Sequence, residues 1–322
     1  MWPGMRRGRQ TSDQTGRPAR REAFLRFSEF HRQRELVVSF ELFPPKTPEA
    51  HSRLFQDELP ALLRLSPAFL TCTYGAGGST REQTLEVVGR IARDFGVEIA
   101  SHLTCVGSSR QQIDAYLQEA ASLGVANIVA LRGDPPRGDA GFRPVPGGFQ
   151  RASELVAHIR RCGGFDIAVA GYPEGHPECP DRTEDWRHCA EKVAAGADVV
   201  ITQLFYDLED FWAFEDFLRN RMEVRVPIVA GVLPILSAQQ ISRFCSLCGA
   251  RIPPAVQARL EQYADDPASC RRYGVELATQ MCRELIARKT AGIHFYTLNR
   301  AASTAEVMRN LGLCPDGACC GA

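Results

Sequence analysis

Eight short apolar runs punctuate the chain after residue 36, and each is followed by a stretch with helical spacing. The runs are VVSFELF (37–43), FLTCTY (69–74), EIASHLT (98–104), NIVALRGD (127–134), DIAVAGY (166–172), VVITQLF (199–205), PIVAGVL (227–233) and GIHFYTL (292–298). Strands that read as near-continuous Val, Ile and Ala are buried on both faces, which is the signature of a parallel sheet. The intervening segments, such as 79–96 and 110–124, carry apolar residues at helical intervals. Several end in Gly before the next run, as a helix C-cap would. Eight strand–helix units predict an α/β fold of the (β/α)8 TIM-barrel type, a single domain. An open doubly wound sheet is the alternative, but the Gly-rich dinucleotide fingerprint is missing after the first strand. The long interval between the last two strands predicts extra helices there, interrupted at Pro253-Pro254.

The first 35 residues break this pattern. They carry nine arginines and little apolar material before Phe24, so residues 1–20 are expected to form a disordered basic tail. An amphipathic helix near 21–34 is expected to follow. An organelle transit peptide is the competing reading, against which Asp13, Glu22, Glu29 and Glu35 count. The expected division is therefore tail, barrel over 21–313, and a Cys-rich tail over 314–322.

Composition narrows the function classes. The 322 residues contain 38 Lys+Arg and 38 Asp+Glu, a net charge of zero that offers no general attraction for nucleic acid or an anionic membrane. Apolar runs stay below the roughly 18 residues of a membrane span. Twelve cysteines in a chain this long fall short of a disulfide scaffold. With Cys72 and Cys105 inside apolar runs, a reducing, cytoplasmic setting is expected.

In such a barrel the chemistry sits at the C-terminal ends of the strands. Those ends here carry Glu41, Thr73-Tyr74, His102, Arg132-Gly133-Asp134, Tyr172 to His176, Gln203 and Asn299-Arg300. Glu41 lies inside an apolar run, where Glu is seldom fully buried without a partner. Desolvation should raise its pKa and suit it to general acid work; a structural ion pair, for example with Arg300, is the alternative. Asp134 could face a ligand or cap a turn. The Gly-rich segment 74–84 could hold an anion at a helix N-terminus or simply supply Ser79 or Thr80 as a cap. His102 and His176 lack a second ligand at metal-binding spacing, so hydrogen bonding is expected of them. The lone Cys245-x-x-Cys248 reads as core or surface cysteine. Cys314, Cys319 and Cys320 form an incomplete zinc set; no metal site is expected.

The ordered motifs SFELFPPKT (39–47), TYGAGGSTREQT (73–84), HLTC (102–105), LRGDPP (131–136), GYPEGHPE (171–178), ITQLFYD (201–207) and HFYTLNRA (294–301) resemble the methylenetetrahydrofolate reductase family. The resemblance runs from about Val37 to Leu313 and is closest to the bacterial form, which consists of the catalytic barrel alone. It implies noncovalent FAD and ping-pong reduction of 5,10-methylenetetrahydrofolate to 5-methyltetrahydrofolate by NADH or NADPH. In that reading Glu41 is the general acid at N10, and Asp134 lies near the flavin and the pterin. Thr73, Tyr74, Ala76, His102, Arg132, Gly133, Asp134, Ala152, Tyr172, His176, Asp185 and Lys192 match flavin contacts. Gln203, Gln240, Phe244 and Arg300 match the folate site, with Gln203 serving both substrates. Small-molecule partners and a homo-oligomer are implied. Other classes remain open: a zinc-dependent methyl transferase, or a non-catalytic barrel subunit of a methyl-transfer complex.

Overall fold

The structure, a computed structural model, describes residues 25–74, 81–134 and 143–314. Eight parallel strands close into a barrel in sequence order: β1 (Val37–Leu42), β2 (Phe69–Cys72), β3 (Ile99–Thr104), β4 (Asn127–Leu131), β5 (Asp166–Gly171), β6 (Val199–Thr202), β7 (Ile228–Val232) and β8 (Gly292–Tyr296). Closure is made by β8 pairing with β1, which sets Ser39 opposite His294 and Glu41 opposite Tyr296. The (β/α)8 expectation is met. Most of the strands stop short of their apolar runs, because the last residues leave the ladder and become rim loops.

Helix α1 (Phe27–Gln33) precedes the barrel. Then come α2 (Pro48–Arg53) and α3 (Leu59–Leu63), joined by a π-helical turn. The outer ring continues with α4 (Arg81–Phe95), α5 (Arg110–Ser122), α6 (Ala152–Cys162), α7 (Arg182–Ala194) and α8 (Leu208–Asp216). Between β7 and β8 lie α9 (Ala238–Cys248), α10 (Pro254–Gln262) and α11 (Pro267–Ala287), the extra helices the sequence predicts; α12 (Ala302–Asn310) follows β8. The helix expected near 21–34 is shorter, and residues 21–24 lie outside the described part, as do the tail 1–20, Ala76, Cys319 and Cys320.

The barrel interior is graded from end to end. At the N-terminal end Val37, Phe69, Ala100, Val129, Ala168, Val199 and Val229 form a separate apolar cluster with Phe27 and Phe30 of α1. The Phe27 ring meets Phe69 edge-on at 4.8 Å, so α1 plugs this end. Two strand-initial polar residues hold the plug: Asn127 Oδ1 accepts from the Phe27 N–H at 2.8 Å, and Asp166 Oδ2 from the Ser28 N–H at 2.9 Å. They satisfy helix N-terminal donors that would otherwise be orphaned. One layer up the interior turns polar, with Ser39, Thr71, His102 and His294 all buried.

Candidate active site

The site begins with alternation along β1. Val37 faces the apolar floor, Ser39 the polar layer and Glu41 the rim, because residues two apart share a strand face. Glu41 is 7% exposed. Its Oε2 lies 3.6 Å from His102 Nε2 and 3.7 Å from His294 Nε2. His294 is fixed beneath it: its Nδ1 shares a hydrogen bond with Ser39 Oγ at 2.8 Å, and its Nε2 lies 3.4 Å from Thr71 Oγ1. Burial drives the His102 pKa down to about 4, with His294 adding to the shift and Glu41 opposing it. His102 is therefore neutral near pH 7 and faces Glu41 as an uncharged ring rather than a cation.

The alternative of a Glu41–Arg300 ion pair is corrected. Arg300 lies four residues beyond Tyr296, the strand partner of Glu41, and stands exposed on a cavity wall. Among the described residues no Arg or Lys forms an ion pair with Glu41. The β8 exit instead grips the backbone of β1. Thr297 Oγ1 donates to the Glu41 carbonyl at 2.7 Å, and the Asn299 amide spans Phe43, accepting from its N–H at 2.9 Å and donating to its carbonyl at 2.8 Å. Leu298 and Asn299 adopt left-handed backbone to make this grip, with φ of 52° and 57°.

Tyr296 crosses the interior and donates from its hydroxyl to the Thr202 carbonyl at 2.7 Å. A Cβ on Gly231 would sit 2.8 Å from that ring and 2.2 Å from the same carbonyl, so only glycine leaves the path open. Burial, reinforced by Glu41, pushes the Tyr296 hydroxyl well above its usual pKa.

On the other side of the rim stand the residues expected to hold the flavin. Thr73 follows β2, with its N–H bound to the Leu42 carbonyl at 2.9 Å, and Tyr74 packs edge-on to Tyr116 at 5.7 Å. Arg132 reaches Glu178 at 2.7 Å. Gly133 has φ +82°, and a Cβ there would come within 2.6 Å of Val106. Asp134 is exposed beside Tyr172 and His176, whose rings meet edge-on at 4.8 Å. Burial, with Arg132 nearby, lowers the His176 pKa. Asp185 on α7 is buried, which raises its pKa against the pull of Lys192. Lys192 Nζ donates to the Ala170 carbonyl at 2.5 Å. Ala152 opens α6, whose preceding Arg151 lies 3.8 Å from Glu191 of α7. Thr104 Oγ1, buried at the end of β3 beside Gly133, has no hydrogen-bond partner among the described residues.

A cavity of about 440 Å³ opens beside β7 and β8, lined in part by Gln240, Tyr296, Thr297, Arg271 and Arg300. Gln240 and Arg300 thus share one wall. Gln203 instead lines a small crevice with Tyr172 and Cys248. Phe244 packs half-buried at the edge of the hydrophobic core rather than on the large cavity's wall. His294 and Thr297 belong to the site but were not singled out from the sequence. The HFYTLNRA motif contained them, and their roles depend on the β1–β8 register.

A model of the family described as methylenetetrahydrofolate reductase matches residues 26–312. The chain belongs to that family. A 5,10-methylenetetrahydrofolate reductase from Pectobacterium carotovorum is 35% identical over 88% of this chain and 93% of its own length. A probable methylenetetrahydrofolate reductase (NADH) from Oryza sativa is 41% identical over 86% of this chain but 48% of its own length. The chain spans about half the length of that rice relative and of its counterparts in Arabidopsis thaliana and Zea mays. Among solved structures, an uncharacterised Clostridium thermocellum protein that binds 5-methyl-5,6,7,8-tetrahydrofolic acid shares the fold. Its TM-score is 0.59 at 17% identity, over 85% of this chain and 93% of that one.

Proposed function

We propose that this protein reduces 5,10-methylenetetrahydrofolate to 5-methyltetrahydrofolate with a nicotinamide reductant and noncovalent FAD, the two substrates using the flavin in turn. The observation that carries this reading is Glu41: a buried carboxylate, unpaired with any Arg or Lys among the described residues, whose β8 neighbours Tyr296 and Thr297 line a cavity of about 440 Å³.

The rim residues fit a flavin dinucleotide in kind. Thr104 Oγ1 is a buried polar atom without a partner among the described residues, a state that costs about 1–3 kcal/mol unless a ligand or water supplies one. Arg132 brings a guanidinium suited to phosphate, and Gly133 lets the backbone come close. Tyr172, His176, Asp185 and Lys192 complete that side. When bound, FAD would accept hydride from the nicotinamide and pass it to the folate.

The chain's own residues then have separable tasks. Glu41 delivers a proton to N10 of the folate, so that the ring opens and the methylene carbon can take the hydride. His102, neutral, and His294, anchored by Ser39, flank the carboxyl and orient it. Thr297 and Asn299 keep the β1 backbone from shifting. Gln240 and Arg300 bind the folate from the cavity wall, with Arg300 suited to a carboxylate. Gln203, beside Tyr172, contacts whichever substrate occupies the flavin face; Phe244 would have to swing from the core edge to stack on the folate.

Plant relatives carry NADH in their names, and NADH is the reductant we propose to test first against NADPH. Purified protein should be yellow, release FAD on denaturation, and under anaerobic conditions consume NADH beyond one equivalent per flavin only while methylenetetrahydrofolate is present. A protein that cannot be loaded with FAD yet reduces the folate would overturn the flavin assignment. A loaded protein that oxidises NADH but leaves the folate untouched would overturn the substrate assignment.

A further inference from the structure

Away from the rim, three metal-ligating side chains converge on the outer ring of helices. His158 and Cys162 are four residues apart on α6 and so share a face. Asp114 of α5 meets them across the helix–helix seam. His158 Nε2 lies 2.5 Å from Asp114 Oδ1. Cys162 Sγ lies 3.7 Å from the same nitrogen and 3.9 Å from the same carboxylate oxygen. Among the described residues this is the one trio of His, Cys, Asp or Glu donors gathered within 4.8 Å.

We propose that Asp114, His158 and Cys162 form a binding site for a zinc-class divalent cation, separate from the catalytic rim. Three arguments support it. First, geometry: zinc bonds of roughly 2.0–2.3 Å in a tetrahedron place donors about 3.3–3.8 Å apart. The two sulfur separations already lie close to that range, and the His–Asp contact needs to open by less than about 1 Å. Second, convergence: Asp114 and Cys162 both face Nε2. A Cys–His–Asp relay for nucleophilic chemistry needs its partners on opposite ring nitrogens. Here all three donors point at one place, as ligands do. Third, donor chemistry: a mixed N, S and O set with a thiol favours zinc-like ions over magnesium or calcium, which take oxygen. One carboxylate and one thiolate also balance a dication's charge.

The imidazole is held for this purpose. The Phe149 ring packs against His158 at 5.0 Å and is covered in turn by the Arg110 guanidinium at 4.9 Å. Cys162 is exposed and Asp114 half-exposed, so the fourth position faces solvent. Binding takes the thiolate, and the Cys162 proton leaves to solvent for each ion bound. It also takes the His158 tautomer whose proton sits on Nδ1. No electron is transferred.

The test uses the full chain, stripped with chelator and titrated with Co²⁺ and then Zn²⁺. One equivalent of Co²⁺ should give a thiolate-to-cobalt charge-transfer band and tetrahedral visible bands, and Zn²⁺ should displace both. Cys162→Ser should remove the charge-transfer band. His158→Ala and Asp114→Asn should each weaken binding by about tenfold or more. Because the chain holds twelve cysteines, a Cys314→Ser/Cys319→Ser/Cys320→Ser variant is the control and should keep the band. Circular dichroism of each variant checks the fold. No saturable band in the wild-type chain, or a band that survives Cys162→Ser, overturns the site.

Discussion

The two ends of the barrel are built from the same strands and do opposite things. At the floor the strands present an apolar cluster capped by Phe27 and Phe30, and the buried Asn127 and Asp166 bond α1 backbone groups. At the rim the interior holds Glu41 between two imidazoles, a tyrosine hydroxyl and a threonine oxygen with no partner among the described residues. The floor pairs Asn127 and Asp166 internally and contributes stability, although the buried His31 Nε2 has no hydrogen-bond partner among the described residues. The rim leaves groups for a ligand to satisfy, and carries the cost of left-handed Leu298 and Asn299 to hold them in place. Chemistry can be placed at one end because the other end closes the core.

Floor substitutions should therefore change stability with little effect on the bound protein's turnover. The largest effect is expected from Phe69→Ala, which empties the centre of the plug and should cost about 3–5 kcal/mol in chemical denaturation. A loss below about 1 kcal/mol would show that α1 does not seal the barrel. Next come two changes of similar size and different kind. Asn127→Ala strips partners from the Phe27 N–H and the Leu25 carbonyl and should cost about 1–3 kcal/mol. Gly133→Ala, at positive φ and against Val106, should also cost about 1–3 kcal/mol and, unlike Asn127→Ala, lower FAD occupancy. If both variants keep full flavin, the contrast between floor and rim fails at this position.

Acid should weaken both ends together. His31 at the floor and His102 at the rim are each driven by burial to about 4. Between about pH 6.5 and pH 4 the unfolded chain takes up protons that the folded chain refuses, so stability falls as pH falls. The slope is up to about 1.4 kcal/mol per pH unit for each histidine. His31→Gln and His102→Gln should each flatten it, and a pH-independent stability over this range would contradict their buried neutral state. The smallest effect is expected from deleting residues 1–20, which should leave both melting and flavin content unchanged.

Much of this contrast was legible in the sequence. Eight two-sided apolar runs fix a parallel barrel, and the barrel fixes which strand ends carry chemistry. Glu41 stood out because a carboxylate inside VVSFELF needs a reason. What the sequence could not supply was register. Ser39 and His294 are 255 positions apart, and only closure of β8 on β1 makes them partners. The same register sets Tyr296 beside Glu41 and carries Arg300 past it, which is why the ion-pair alternative failed. Asp114, His158 and Cys162 were missed for a related reason: i,i+4 spacing gives two of them, but helix packing supplies the third.

The most direct test separates the two half-reactions in Glu41→Gln. Glutamine keeps the shape and removes the transferable proton. Stopped-flow flavin absorbance should show reduction by NADH within a few-fold of wild type, while oxidation by methylenetetrahydrofolate slows by about 10²–10⁴-fold, the usual share of a general acid. The variant should remain folded and yellow. Equal slowing of both half-reactions, or an unchanged folate step, would contradict the assignment of Glu41 as the proton donor.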